Sequence, residues 1–473
     1  MRSKLKQTIS HIAITDLGIH RKGIARSEGL VIFVEGAIPG DVVDIEIYKK
    51  RRKHAEARII RFVNPSPDRI EPICEHFGIC GGCNLQNMNY HSQLVLKQKI
   101  VTNAFTHIGK LDIAHKTNDI AGSVNIYFYR NKMEFSFSSN KWLTNEEINS
   151  GLKFENRNAA GFHIPGKFDK ILDINKCYLQ SEPSNEIRIE LKSFCESNQL
   201  SFYNIREGYG FLRSLLVRTT TTGEVMVIVI FGENQHKQIS LTMKFLLDRF
   251  PVINSSYYMI NQKKNDSLND LEAIHFGKES IIQEKIGDIR FRIGPKTFFQ
   301  TNPLQAAHLF KMILDIGQFS PSDHLYDLYC GVGTISLFLS GFVKKVTGID
   351  SVGESVNEAR NNADFNHINN TVFIEGEVEK IMVDSFYVEH GKPDCIIVDP
   401  PRAGLHPDVI KSILISESPK MIYISCNPAT QARDISLLSE KYEIDIIQPV
   451  DMFPQTLHVE NIALLKLRKD LSV

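Results

Sequence analysis

From about residue 291 onward the chain alternates short apolar runs with amphipathic ones. HLYDLYC, KVTGID, TVFIEGE, DCIIVDP, MIYISC, YEIDIIQPV and NIALLKLRK read as strands, and PLQAAHLFKMILDI and SVGESVNEARNNADFN as helices among them. Strands separated by helices imply a doubly wound, largely parallel sheet. Ligands bind such sheets beyond the carboxyl ends of the strands. The residues that end each strand are therefore where chemistry is expected.

A chain of 473 residues is too long for one core. We expect a multi-domain α/β protein in three parts. Residues 1–62 hold alternating runs (KQTISHIAIT, LVIFVEGAI, DVVDIEIYKK, HAEARIIRFV) split by turns such as IHRKGIA and IPGD, which suggests a small OB-like β-barrel. NPSPDRIEP then reads as a linker. Residues 63–290 mix helix-like runs (Tyr90 to Gly109, Ser181 to Ser197) with strand-like ones (KMEFSFSS, RSLLVRTT, EVMVIVIF), an α+β region that opens on a cysteine-rich loop. Residues 291–473 form the Rossmann-like C-terminal domain.

The net charge of zero conceals an asymmetry: residues 1–62 carry 13 Lys/Arg against 7 Asp/Glu. Lys49 to Arg61 alone has seven basic residues and one acid. Such a run is either a solvated face or a surface for a polyanion. No membrane-length apolar run or signal peptide is present, so the cytoplasm is the expected location.

YDLYCGVGTISLFLS (326–340) reads as strand, glycine turn and helix, with Gly331 and Gly333 letting the backbone approach a ligand. Asp350 ends the next strand, where a carboxylate can accept ribose hydroxyls. Ser351 to Glu354 fits a capping box for the following helix. The turn is shorter than a dinucleotide cradle and suits a nucleoside without phosphates, such as S-adenosylmethionine. Asp399-Pro400-Pro401 ends a further strand as a rigid platform.

Cys426 ends the strand after that, on the rim that faces ligand, where a thiolate can act as a nucleophile. Glu460 stands just before the last strand, and a carboxylate bordering a buried strand needs solvent or a task. His458 reads as a loop residue. Carbon 5 of uracil takes a methyl group only after a thiolate has attacked carbon 6, and a base must then remove the carbon 5 proton. A thiol, a carboxylate and a methyl donor are the minimum parts.

CEHFGICGGCNLQ spaces Cys74, Cys80 and Cys83 around Gly81-Gly82. Three nearby thiolates and one remote thiolate suit a [4Fe–4S] cluster better than zinc, which draws on two short paired motifs. Cys177 and Cys195 are the candidates for the fourth ligand, with Cys195, Cys330 and Cys395 most simply core residues.

DLYCGVGTISL, IIVDPPRAGL, ISCNPAT, FPQTLHVE and FFQTN resemble the motifs of the RNA (uracil-5-)-methyltransferase family, and the likeness spans nearly the whole chain. The resemblance implies Cys426 as nucleophile and Glu460 as base. Gln300, Tyr329, Asp350 and Asp399 would contact the methyl donor or shape the site. It also implies a TRAM-like RNA-binding barrel at the N-terminus, and a [4Fe–4S] cluster on Cys74, Cys80, Cys83 and Cys177, with zinc as the alternative. Tyr329 stands where Phe is usual, Asp350 where Glu is usual and Thr334 where many members carry Asn. The implied substrate is 23S ribosomal RNA, acted on by a monomer that needs no membrane. Transfer RNA is the runner-up, and a non-catalytic RNA-binding assembly factor is the reading from another class.

Overall fold

The computed structural model describes residues 7–18 and 21–469. The N-terminal sheet has six strands, with Gln7–Ala13, Val42–Lys50, His54–Asn64 and Leu30–Glu35 running side by side. Alternate positions point inward, so Ile32, Val34, Val43, Ile45, Ala55 and Ala57 make a small core. Lys22–Ser27, within what reads as a turn, is also a strand and pairs with Leu30–Glu35. Gly23 explains the misreading. A Cβ there would lie 2.8 Å from Ala37 and Ile14, so this glycine serves close packing inside a strand.

NPSPDRIEP, expected as a linker, is tied down. Arg69 reaches back to the fully buried Asp41 at 2.5 Å, and Ile70 N donates to Asn87 O at 3.2 Å.

The central region is a seven-stranded mixed sheet. Leu212–Thr219 and Val225–Phe231 lie at its heart and are buried on both faces, the second apolar throughout. One face packs on the helices Ser184–Ser197 and His236–Arg249, whose Phe194 and Phe245 rings stack 4.0 Å apart. The other face (Leu216, Met226, Ile228, Met259) shares a core with the C-terminal part. The hairpin Ile282–Ile286/Ile289–Ile293 joins that same core through Ile286, Phe291 and Ile293.

The C-terminal sheet comprises β1 (His324–Leu328), β2 (Lys345–Asp350), β3 (Thr371–Glu375), β4 (Cys395–Val398), β5 (Lys420–Ser425), β6 (Tyr442–Val450) and β7 (Glu460–Leu467). Their order is β3-β2-β1-β4-β5-β7-β6. The first five are parallel and β7 is antiparallel to both β5 and β6. Order reverses between β1 and β4, and a crevice opens at such a switch point beyond the strand ends. Cys195, Cys330 and Cys395 are buried core residues, as read from sequence.

Candidate active site

β1, β2, β4 and β5 of the parallel set deliver candidate functional groups to the carboxyl rim. β1 runs into a turn in which Tyr329 takes a positive φ of 67°, followed by Gly331 at 54° and Gly333 at 80°. A bulky residue with positive φ is strained and persists only where its surroundings hold it. Here Tyr329 N and Cys330 N both donate to Ile349 O on β2, at 2.8 and 3.1 Å. A Cβ on Gly331 would meet nothing within 4 Å, so the space beside this turn is open.

Asp350, at the end of β2, clasps the turn with both oxygens. Gly331 N donates to one at 2.9 Å and Val352 N to the other at 2.9 Å. The expected capping box at Ser351–Glu354 does not form. The helix starts at Gly353 behind Val352, with no side-chain cap.

Asp327 is a member of the site that sequence reasoning missed, because inside YDLYC it looks like one polar position of a strand. It is 1% exposed. Its Oδ2 accepts from Ser336 Oγ at 2.5 Å, while Oδ1 is buried with no donor among the described residues. Burial pushes its pKa up to about 7, with Asp399 and Asp350 nearby adding to the rise. Asp399, ending β4, is likewise pushed up to about 7 by burial.

Cys426 and Glu460 meet on the next strand pair. β5 and β7 pair as far as Ser425 opposite Asn461, and Cys426 and Glu460 are the next residues at that open end of the ladder. Gln431 braces them from behind, its Nε2 donating to Tyr423 O at 2.8 Å and Asn461 O at 3.1 Å. Burial raises the Cys426 thiol pKa, the Glu460 charge raises it further, and a hydrogen bond from Arg402 lowers it. Burial and the Asp399 carboxylate raise Glu460 well above the usual carboxylate range. Arg402 is the second residue missed: it is visible in DPPRAGL, yet only the fold turns it toward sulfur 426. Its Nη2 also donates to His458 Nδ1 at 2.9 Å, so His458 is a partner of Arg402 and more than a loop residue. Burial, followed by the Arg402 charge, lowers the His458 pKa, which suits a neutral ring accepting that bond.

Asp350, Asp327, Asp399, Glu460 and Cys426 thus form one chain of electrostatic neighbours along the rim. The backbone carbonyl of Gln300 accepts from Asn131 Nδ2 at 3.0 Å, and its loop is tied to the 451–459 loop through Asn302 Nδ2 and Met452 O at 3.0 Å.

The cysteine loop forms a separate centre. Cys74, Cys80, Cys83 and Cys177 are half-buried and close enough to influence one another's ionisation. Burial, with their mutual charge, pushes Cys83 up to about 12 and Cys177 to about 11. His76 Nε2 accepts from Asn175 N at 2.9 Å, which stitches the Cys74–Cys83 loop to the Cys177 segment. Among the described residues no three His, Cys, Asp or Glu side chains stand in the arrangement of a single-ion site.

Comparison with known proteins places these features. Residues 218–468 match the tRNA (uracil-5-)-methyltransferase family model and residues 7–60 the TRAM domain. A protein of Bacteroides thetaiotaomicron named an uncharacterized RNA methyltransferase is 46% identical over 451 residues, covering 94% of this chain and 99% of its own length. A protein of the same description from Porphyromonas gingivalis is 40% identical, covering 96% and 98%. Among solved structures, the tRNA (uracil-54, C5)-methyltransferase of Pyrococcus abyssi in complex with S-adenosyl-L-homocysteine superposes with a TM-score of 0.73 and 29% identity, covering 98% of this chain and all of its own.

Proposed function

The chain belongs to the tRNA (uracil-5-)-methyltransferase family, and on that premise we propose that it methylates carbon 5 of a specific uridine in 23S ribosomal RNA through a covalent bond to Cys426. The observation that carries this reading is the meeting of Cys426 and Glu460 at the open end of the β5–β7 ladder, where the Glu460 charge acts on the thiol. A binding protein without chemistry, such as an assembly factor, has no use for a thiol and a carboxylate brought together.

The Cys426 thiolate adds to carbon 6 of uracil, and the electron pair of the 5,6 double bond moves onto carbon 5. When bound, S-adenosylmethionine supplies the electrophilic methyl group that carbon 5 takes. Glu460 then accepts the proton left on carbon 5, the double bond re-forms, and the carbon–sulfur bond breaks to release Cys426. Arg402 favours the thiolate at the start and receives it again at the end. A carboxylate whose pKa is raised by burial is a stronger base once ionised.

Tyr329, Asp350, Asp399 and Gln300 hold the methyl donor in this reading. The open space beside Gly331 suits a ligand that approaches the turn closely. The pyrimidine must leave its stack to reach the rim.

Cys74, Cys80, Cys83 and Cys177 hold a [4Fe–4S] cluster, with zinc as the alternative. The four thiols raise one another's pKa across the loop and the Cys177 segment, which supports a shared centre, and the spacing of three near cysteines and one remote favours the cluster. Its role here is structural, since the transfer needs no electrons. The division at residues 62 and 290, a monomeric state and a cytoplasmic location belong to the same proposal. No helix among the described residues is long and apolar enough to cross a membrane.

The barrel together with the cysteine loop supports ribosomal RNA. Transfer RNA is the second reading, favoured by the substrate of the Pyrococcus abyssi protein. Mapping 5-methyluridine in both RNAs from cells lacking the protein decides between them. Loss from 23S ribosomal RNA is expected. Loss from transfer RNA alone moves the assignment to the second reading, and loss from neither overturns both.

A further inference from the structure

The loop 451–459 joins β6 to β7 and delivers Glu460, yet it has neither helix nor strand to hold it. Asn302, Tyr129 and Arg402 each bind it once, but its densest set of partners comes from the helix α1 (Tyr90–Asn103) and the segment before it, more than 350 residues away in sequence. Lys97 Nζ donates to Asp451 Oδ1 at 2.6 Å and to Phe453 O at 3.0 Å, and both side chains of this ion pair are 0% exposed. Tyr90 OH donates to the other Asp451 oxygen at 3.0 Å. Gln93 and Gln455 exchange two bonds, Nε2 to Oε1 at 3.0 Å and Gln455 N to Gln93 Oε1 at 3.1 Å. Asn84 N and Leu85 N, directly after Cys83, donate to Gln455 O at 2.7 and 3.1 Å.

We propose that Lys97, with Tyr90 and Gln93, is a positioning residue for the proton-accepting step: α1 fixes the loop 451–459 so that Glu460 faces Cys426. This rests on the mechanism proposed above. Burying both charges of an ion pair is a poor route to stability, because desolvation offsets the attraction. Such a pair does fix geometry, since neither charge can move without leaving the other unpartnered in a dry interior. Lys97 binds the two ends of one tight turn, Asp451 and Phe453, and Gln93 holds Gln455 beyond it. Gln455 has a φ of 67°, a conformation that the bonds on both of its faces hold in place. The frame also joins the cysteine loop to the base loop through Gln455 O. Disorder at either end of the segment 84–97 would therefore reach Glu460.

The test separates two half-reactions in single turnover with labelled RNA and S-adenosylmethionine. Formation of the denaturant-stable protein–RNA adduct reports Cys426, and its decay reports Glu460. Wild type, Glu460→Gln, Tyr90→Phe and Lys97→Met are compared, with amide exchange of 451–459 measured alongside. Tyr90→Phe keeps the ring and removes two bonds, the one donated to Asp451 and the one accepted from Ser123 N, and it decides the matter if Lys97→Met fails to fold. The expected result is an adduct that forms at near wild-type rate in Tyr90→Phe but decays several-fold more slowly. Decay slows roughly tenfold or more in Lys97→Met, the scale of a small misplacement of a catalytic group. Amide exchange over 451–459 rises in both. A merely structural role would lower the active fraction and leave adduct lifetime unchanged. If Glu460→Gln traps the adduct while Tyr90→Phe and folded Lys97→Met release it at wild-type rate, the positioning role is overturned. If Glu460→Gln traps nothing, the mechanism itself fails and this inference with it.

Discussion

Cys426 follows Ser425 and Glu460 precedes Asn461, the last pair of the β5–β7 ladder, so the thiol and the carboxylate sit at its open end, near enough for the Glu460 charge to raise the Cys426 thiol. In the proposed reaction a nucleophile and a base brought together at one strand end serve the same ring.

That geometry sets the pH dependence. The Cys426 thiol is raised by burial and by Glu460, and Glu460 is raised by burial and by Asp399. Both must lose a proton to work. The rate of adduct formation should therefore climb with pH through the neutral range and level off only above the ordinary thiol value. Arg402 lowers the thiol pKa, so Arg402→Leu should move the whole profile to higher pH. A pH-rate series on both proteins checks this, and coincident profiles would contradict it.

Asp350 holds the glycine turn with two charge-assisted bonds to backbone amides. Such bonds are worth about 1.5–3 kcal/mol each. Asp350→Ala should weaken binding of S-adenosylhomocysteine by roughly tenfold to a few hundredfold, by calorimetry. Covalent trapping at saturating methyl donor should be far less affected.

The basic run of the barrel is narrower in effect than in sequence. Lys49 pairs with Glu56, Arg58 with Glu46 and Arg61 with Asp44, so neighbouring strands already neutralise them. Arg51, Arg52 and Lys53, at the turn before His54–Asn64, are exposed and make no ion pair among the described residues. Replacing these three by Ser should weaken RNA binding and flatten its salt dependence by about 2–3 in the slope of log K against log salt, without altering cofactor affinity. Filter binding across a salt series measures it. An unchanged slope would move the RNA contact elsewhere.

Much of this was legible because a parallel sheet announces its own functional edge. Each strand end in the C-terminal third could be read from an acid, a glycine or a cysteine following an apolar run, and those residues do lie along one rim. Asp327 escaped notice because period and composition cannot tell a buried strand carboxylate from an ordinary polar position. Arg402 escaped because its partners, Cys426 and His458, are set by how β4 and β7 flank β5. The bond from Lys97 to Asp451 spans 354 residues and has no local signal at all. Ser351–Glu354 shows the opposite error: a sound local motif that the fold does not use, since the helix is capped one residue later, at Val352.

The cysteine centre gives a separate prediction. Cys177→Ser should lower bound iron and increase amide exchange around 74–86. Through Asn84, Leu85 and Gln455 it should also loosen the loop 451–459. Zinc in place of iron in the purified protein, by elemental analysis, would select the alternative ligand.

The most direct test of the central claim is mass spectrometry on Glu460→Gln after incubation with substrate RNA and S-adenosylmethionine. The account predicts a peptide in which the Cys426 sulfur carries a 5-methylated, 5,6-saturated uridine nucleotide, absent when Cys426→Ala is added. Normal turnover by Cys426→Ala, or an adduct on another residue, would contradict it.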